Sequence, residues 1–408
     1  MTHLKKPKEI SALLVTSKFP PSKGGVQSYL YNTVMNFRKI RVNLFCATTN
    51  EPGFEKIDRV LSKAGHTVNR SALLSGDLGF FKTITHPLII TKFLRSLLHS
   101  VKKNDVGIII FGHVNFFFLA AIFLIKGLRN IPCALVFHGE DIPTVDQKSN
   151  SLTRYMFRQP TFVLCNSKFT QNRLLRFVNK RMGTILAYPG VEDRFFDTRD
   201  ISLSLSTLED IDIHSKDVIY SVGRLDKRKG HDTVIKAMPE IVSECPDVIY
   251  LIGGCGIYKD DLEKMVDRFG LRQFVKFIGL VPEDQIVAFH QAGDVFVMPN
   301  RTLEDGDTEG FGIVFLEASA CGKPVIGGRA GGAVEAISEN ITGYLIDPHD
   351  VKELVDRVVY LLTHKDQSAQ MGEKARDRAW KEFRWPYLAG NLENRIIEAL
   401  YDHKRKHI

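Results

Sequence analysis

The sequence predicts an α/β protein of two doubly wound, Rossmann-like domains, on three observations. Short apolar runs alternate with amphipathic helical patterns, that alternation occurs twice, and the polar, strand-poor stretch from Glu192 to Asp217 separates the two series. Repeated strand–helix alternation builds parallel sheets covered by helices on both faces. The length of 408 residues agrees, since domains run to roughly 150 residues each. The first domain is expected over residues 1–200 and the second over 201–384, with one more helical pattern over 385–408.

Each strand is read from a short, non-alternating run of Val, Ile, Leu and Phe, the pattern of a strand buried on both faces. In the first half these are Ala12–Ser17, Arg41–Ala47, Gly107–Gly112, Ala134–His138 and Thr161–Cys165. In the second they are Val218–Val222, Val248–Ile252, Val275–Ile278, Val295–Met298, Pro324–Ile326 and Tyr344–Ile346. Helical spacing predicts helices over His231–Ser243, Lys259–Phe269, Glu283–Gln291, Ile313–Ala320 and Val351–His364. Two such domains would form a cleft, a usual place for ligands.

Composition excludes several classes. With 44% hydrophobic and 25% charged residues the chain is neither disordered, collagen-like nor a coiled coil. Its longest apolar run, Phe116 to Ile125, is about half the roughly 20 residues that span a bilayer. Met1–Glu9 is polar and has no signal-type core. The six cysteines form no CxxC pair and sit mostly in apolar stretches, so a reduced, cytoplasmic protein is expected. The net charge of +8 is unevenly spread: residues 1–200 carry 29 basic against 13 acidic side chains, residues 201–408 carry 26 against 34. A basic half favours an anionic partner such as a membrane leaflet, a phosphorylated acceptor or nucleic acid. Phe80–Lys103, with Lys82, Lys92, Arg95, Lys102 and Lys103 among apolar residues, reads as an amphipathic helix. It could lie on an anionic membrane or cover the domain surface.

Four segments carry candidate chemistry. Lys23-Gly24-Gly25-Val26 follows the first strand, where glycines let backbone N–H groups approach an anion; a plain turn has the same look. His138-Gly139-Glu140-Asp141 ends another strand at the edge where open sheets place ligands. Its histidine could bind a polar substrate or cap local structure. In Gly223-Arg224-Leu225-Asp226-Lys227-Arg228-Lys229-Gly230, Arg224 and Lys229 could turn toward one pyrophosphate, although a solvated charge run reads alike. In Glu309-Gly310-Phe311-Gly312-Ile313-Val314-Phe315-Leu316-Glu317 a glycine loop runs into a helix whose free N–H groups would meet a phosphate or a hydroxyl. Along a helix its two carboxylates would stand up to about 12 Å apart. That is wide for a glycosidic acid–base pair, so two separate hydroxyl-reading carboxylates fit better. Gly327-Gly328-Arg329-Ala330-Gly331-Gly332 adds another backbone-lined loop. Asp305-Gly306-Asp307 has a metal-binding look but no evident partner ligand, and no nucleophile or P-loop signature occurs.

Taken in order, Gly24-Gly25-Val26, His138-Gly139, Asn166-Ser167, Gly223-Arg224-Leu225 with Lys229-Gly230, and Glu309 to Glu317 resemble the retaining glycosyltransferases of the GT-B fold, family 4. The stretch Arg301 to Pro324 is most similar to phosphatidylinositol-mannoside mannosyltransferases and related hexosyltransferases. The resemblance implies that Arg224 and Lys229 bind the donor diphosphate, Glu309 the transferred sugar and Glu317 the ribose. It implies backbone contacts from Phe311, Gly312 and Ile313, phosphate closure by Gly24-Gly25, and His138 beside the reacting sugar. It further implies no cofactor and no essential metal, an acceptor-binding first domain joined by the helix over 385–408, and a glycan, lipid-linked or polyol acceptor. GDP-mannose is the favoured donor and a UDP-hexose the alternative. The rivals are an epimerase or phosphorylase on the same architecture, and a non-catalytic membrane or nucleic-acid module. The cation and carboxylate motifs fall in the acidic half, which argues against nucleic acid.

Overall fold

The computed structural model describes residues 10–74, 87–129, 131–139, 141, 155–177, 182–197, 208, 211–213 and 215–405. Met1–Glu9, Lys82, Glu140, Lys406 and most of the polar stretch before Asp217 lie outside the described residues. The chain forms two units, one of Met1–Tyr188 with Trp385–Ile408 and one of Pro189–Arg384.

The first unit runs β1 (Ile10–Thr16), α1 (Gly25–Asn36), β2 (Ile40–Ala47), α2 (Phe54–Lys63), β3 (Thr67–Ser71), α3 (Pro87–Lys103), β4 (Ile108–Phe111), α4 (Phe116–Arg129), β5 (Cys133–Phe137), β6 (Phe162–Cys165), α5 (Lys168–Phe177) and β7 (Gly183–Leu186). Its strands form one parallel sheet in the order β3-β2-β1-β4-β5-β6-β7, with the direction of winding reversing between β1 and β4. Both faces are covered because successive side chains on a strand point oppositely. Along β1, Ala12 and Leu14 enter one apolar core and Leu13 and Val15 the other. On α3, Phe93 and Leu97 are committed to that second core, while Lys92, Arg95, Lys102 and Lys103 are exposed. Among its described side chains the apolar face of this helix packs on the protein interior, and its cations face outward together with Thr91 and His99.

The second unit runs β8 (Asp217–Val222), α6 (His231–Glu244), β9 (Val248–Gly253), α7 (Lys259–Arg268), β10 (Val275–Gly279), α8 (Ile286–Ala292), β11 (Val295–Met298), α9 (Ile313–Ala320), β12 (Val325–Gly328), α10 (Ala333–Ala336), β13 (Gly343–Ile346), α11 (Val351–Thr363) and α12 (Lys365–Glu382). Its parallel sheet has the order β10-β9-β8-β11-β12-β13, so the winding reverses between β8 and β11. Ligands of open α/β sheets bind at the carboxyl ends of strands flanking such a reversal. Among the described residues no helix is long and apolar enough to cross a membrane.

The C-terminal helix Trp385–Arg405 returns to the first unit. Trp385, Ala389, Leu392, Ile396 and Leu400, spaced three or four apart, join the core beneath α1. A buried carboxylate fixes its register: Glu393 Oε1 accepts the backbone N–H groups of Arg38 (2.8 Å), Lys39 (2.5 Å) and Ile40 (2.7 Å). Glu393→Ala strands three amides beneath the helix, and the expected loss is about 3 kcal/mol. Thermal unfolding of the purified chain checks this, with a Tm lower by roughly 5–10 °C for a unit of this size. Glu393→Gln keeps the acceptor oxygen and loses less than half as much; equal losses would mean that the charge, not the acceptor, matters.

Candidate functional site

The site is built at the carboxyl edge of the second sheet from the loops after β8, β11 and β12. Beyond β8 the chain passes through Gly223 and Arg224, makes one tight 3-10 turn over Lys227–Lys229, and enters α6 at Gly230. Gly230 has a φ of 78°, and a Cβ there would lie 2.1 Å from the Pro299 carbonyl oxygen at the end of β11. That approach packs the turn onto the β11 end. Arg301 then fastens it: its backbone N–H donates to the Arg228 carbonyl (2.8 Å) and its Nε to the Lys227 carbonyl (2.9 Å). The Arg301 guanidinium also pairs with Asp232 on α6. On the other side, Asn300 donates to the Ala330 carbonyl (3.0 Å) and accepts from Gly328 (3.2 Å), tying in the glycine-rich loop after β12.

Lys227 lies over the Tyr258 ring, 5.5 Å from its centre, while the side chains of Arg228 and Lys229 are only 8% and 9% exposed. Both reach one carboxylate oxygen. Glu309 Oε2 accepts from Lys229 Nζ at 2.5 Å and from Arg228 Nη1 at 3.0 Å. Arg228 Nε also stands 3.3 Å from Asp307. Burial alone would raise the Glu309 pKa, yet Lys229, Arg228 and the more distant Arg224 hold it down at about 2. Glu309 is thus a carboxylate throughout the physiological range. Burial pulls the Lys229 ammonium below its ordinary value, with Glu309 opposing that shift.

The other expected residues fall as follows. Arg224 follows Gly223 with its side chain 64% exposed and its Nε 3.5 Å from Asp226. Phe311 is buried with its ring against Phe383, which leaves its backbone as the group at the loop. Gly312 and Ile313 open α9, where the first N–H groups of a helix have no helical acceptor. Glu317 lies on α9, its Oε2 3.8 Å from the Nε2 of buried His290, whose Nδ1 meets the Tyr220 hydroxyl at 3.1 Å. The spacing of the two carboxylates needs correction. Glu309 lies in the loop before Gly312 and not on the helix, so helical rise does not set its distance from Glu317. Asp305 accepts the Asp307 N–H (2.9 Å), and among the described residues no group of three or more acidic, His or Cys side chains could hold a metal ion.

In the first unit, Gly24 and Gly25 open α1 at the carboxyl end of β1; Gly25 has no atoms near the place a Cβ would occupy. His138 follows β5, buried, with Nε2 2.8 Å from the Gly112 carbonyl. A carbonyl only accepts, so Nε2 carries the proton. Asn166 holds the His138 carbonyl from the end of β6 at 2.9 Å. The sequence reading missed Arg228, Asp307 and Arg301 as parts of the site. Nothing local marks Arg228 as buried, because the carboxylates that cover it come from the loop after β11.

Residues 209–378 match the family model for "Glycosyl transferases group 1", and residues 23–194 that for "Glycosyltransferase Family 4". The chain is 30% identical over 377 residues to the GDP-mannose-dependent alpha-(1-6)-phosphatidylinositol monomannoside mannosyltransferase of Mycolicibacterium smegmatis, covering 91% of this chain and 94% of the relative. It is 28% identical over 391 residues to the GDP-mannose-dependent monoacylated alpha-(1-6)-phosphatidylinositol monomannoside mannosyltransferase of Corynebacterium glutamicum, covering 94% and 96%. Among solved structures, the sucrose-phosphate synthase of Thermosynechococcus elongatus superposes with a TM-score of 0.75 at 21% identity, covering 96% of this chain and all of that one. That likeness establishes the two-domain GT-B architecture.

Proposed function

Because the chain belongs to the family 4, group 1 glycosyltransferases, we propose that it is a retaining hexosyltransferase moving mannose from GDP-mannose to a lipid-linked or glycan hydroxyl. The observation that carries this reading is the buried pair of cations on Glu309 beside the start of α9. It offers the Lys229 ammonium for a diphosphate, and next to it a carboxylate, held by Arg228, for sugar hydroxyls. The GDP-mannose dependence of two relatives of nearly equal length supports the donor. The basic first half supports an anionic acceptor and a cytoplasmic reaction at the lipid surface.

In this mechanism the acceptor oxygen bonds to the anomeric carbon on the face from which the diphosphate departs. The bond from that carbon to the phosphate oxygen breaks, and its electron pair leaves with the diphosphate. Attack on that same face keeps the configuration, and a phosphate oxygen takes the acceptor proton, so no protein nucleophile is needed. Arg224, Lys229 and the N–H groups of Gly312 and Ile313 stabilise the charge that grows on the leaving group. Glu309 orients the sugar and Glu317 accepts from the ribose. Gly24, Gly25 and His138 serve the same reaction from the first unit, and no metal is required.

The test is thermal unfolding with GDP, UDP and ADP, followed by transfer of label from GDP-mannose in the presence of EDTA. GDP at about a hundred times its Kd is expected to add about 2.7 kcal/mol of apparent stability, and transfer to survive EDTA. Stabilisation by UDP alone would replace the donor. No shift with any nucleotide, or label remaining on the nucleotide, would remove the reading.

A further inference from the structure

The site contains a conflict that the proposed mechanism must resolve. Lys229 is to grip the diphosphate, yet its ammonium is already engaged by Glu309. Glu309 is itself buried, its side chain only 12% exposed. If Lys229 swings to a phosphate, a buried carboxylate loses a cation, and an unpaired buried charge is expensive.

We infer that Arg228 is the positioning residue that resolves this, holding Glu309 ionised and in place when Lys229 turns to the donor. The inference rests on reading this edge as the nucleotide-sugar site. Arg228 sits between two carboxylates of the β11–α9 loop, 3.0 Å from Glu309 and 3.3 Å from Asp307. An ammonium is a compact point charge on a flexible stem, whereas a guanidinium presents several donors in a fixed plane. The Arg228 carbonyl is pinned by the Arg301 backbone N–H, so the residue is anchored at both ends. The loop bearing the carboxylates is closed as well. Leu303 donates to the Asp307 carbonyl (2.8 Å), Thr302 and Thr308 share a hydroxyl contact (2.9 Å), and Gly332 donates to the Glu309 carbonyl (2.8 Å). Among the described residues Lys229 pairs with Glu309 alone, whereas Arg228 has a second carboxylate in Asp307, so Lys229 is the one released. The three neighbouring cations thus divide the labour: Arg224 and Lys229 for the phosphates, Arg228 for the carboxylate that reads the sugar.

A double-mutant cycle with GDP and UDP as probes tests this by calorimetry. Arg228→Met makes Glu309 hold on to Lys229, so affinity for the nucleotide that binds the wild type falls about tenfold or more, a change of about 1.4 kcal/mol. Glu309→Gln leaves Lys229 uncommitted and binds at least as tightly as wild type. The decisive outcome is Arg228→Met with Glu309→Gln, which is expected to return to within about threefold of Glu309→Gln alone. A direct Arg228–phosphate contact, or a purely structural role, leaves the double variant as weak as Arg228→Met, and either overturns the inference. Unchanged affinity in Arg228→Met overturns it too. Wild-type protein that binds neither nucleotide removes the site reading itself, a failure seen before any variant is made.

Discussion

Lys229→Ala is expected to lower sugar transfer by about three orders of magnitude while the second unit stays folded. The size follows from where the ammonium sits. Its side chain is 9% exposed, so its charge acts on a leaving diphosphate through protein rather than water. A loss of about 4 kcal/mol is typical for removing one preorganised donor from developing charge. The fold survives because Glu309 keeps Arg228 at 3.0 Å and is not left without a cation. The assay is kcat and KM with labelled donor, alongside Tm. A drop below tenfold would take Lys229 out of the chemistry, and a collapse in Tm to match the rate would make it structural.

Gly230→Ala is expected to be strongly destabilising to the second unit. Two costs combine. A non-glycine residue at a φ of 78° is strained by about 1 kcal/mol. The added methyl would also stand 2.1 Å from the Pro299 carbonyl, a backbone atom that cannot rotate away. Relieving that overlap shifts either the end of β11 or the turn bearing Arg228 and Lys229, for a total of about 3–5 kcal/mol. Gly322→Ala isolates the first cost, since Gly322 has a φ of 75° with nothing within 4 Å of its missing Cβ. Urea unfolding of both variants is the measurement. Gly322→Ala should lose about 1 kcal/mol, and nearly equal losses would mean that the Pro299 approach is not tight.

Much of this architecture was legible because strands buried on both faces announce themselves as apolar runs. β11 is Val295–Met298, as its sequence predicts, and β8 differs from its expected bounds only by Asp217. The two strands not foreseen, β3 and β7, lie at the edges of the first sheet. Their side chains are largely half-exposed, and Thr67–Ser71 is polar at most positions, so neither shows a continuous apolar pattern. Near β10 the helix begins at Ile286 rather than Glu283, because Pro282 to Gln285 forms a turn closed by a 3.0 Å bond.

The site divides in the same way. Lys229 and Glu309 were found through their glycine-flanked motifs, since such loops mark themselves locally. Arg228 was not, because its burial depends on carboxylates about eighty positions away. A charge run looks solvated until the chain that covers it is in place.

The return of Trp385–Arg405 to the first unit has a consequence for biogenesis. On the ribosome, every residue of the second unit emerges before the segment that completes the first. Domains usually mature from the N-terminus onward during synthesis, but here the N-terminal lobe waits, with the amides of Arg38, Lys39 and Ile40 unmatched until Glu393 arrives. Chains truncated after position 384 should therefore present a finished C-terminal lobe and a chaperone-binding N-terminal one.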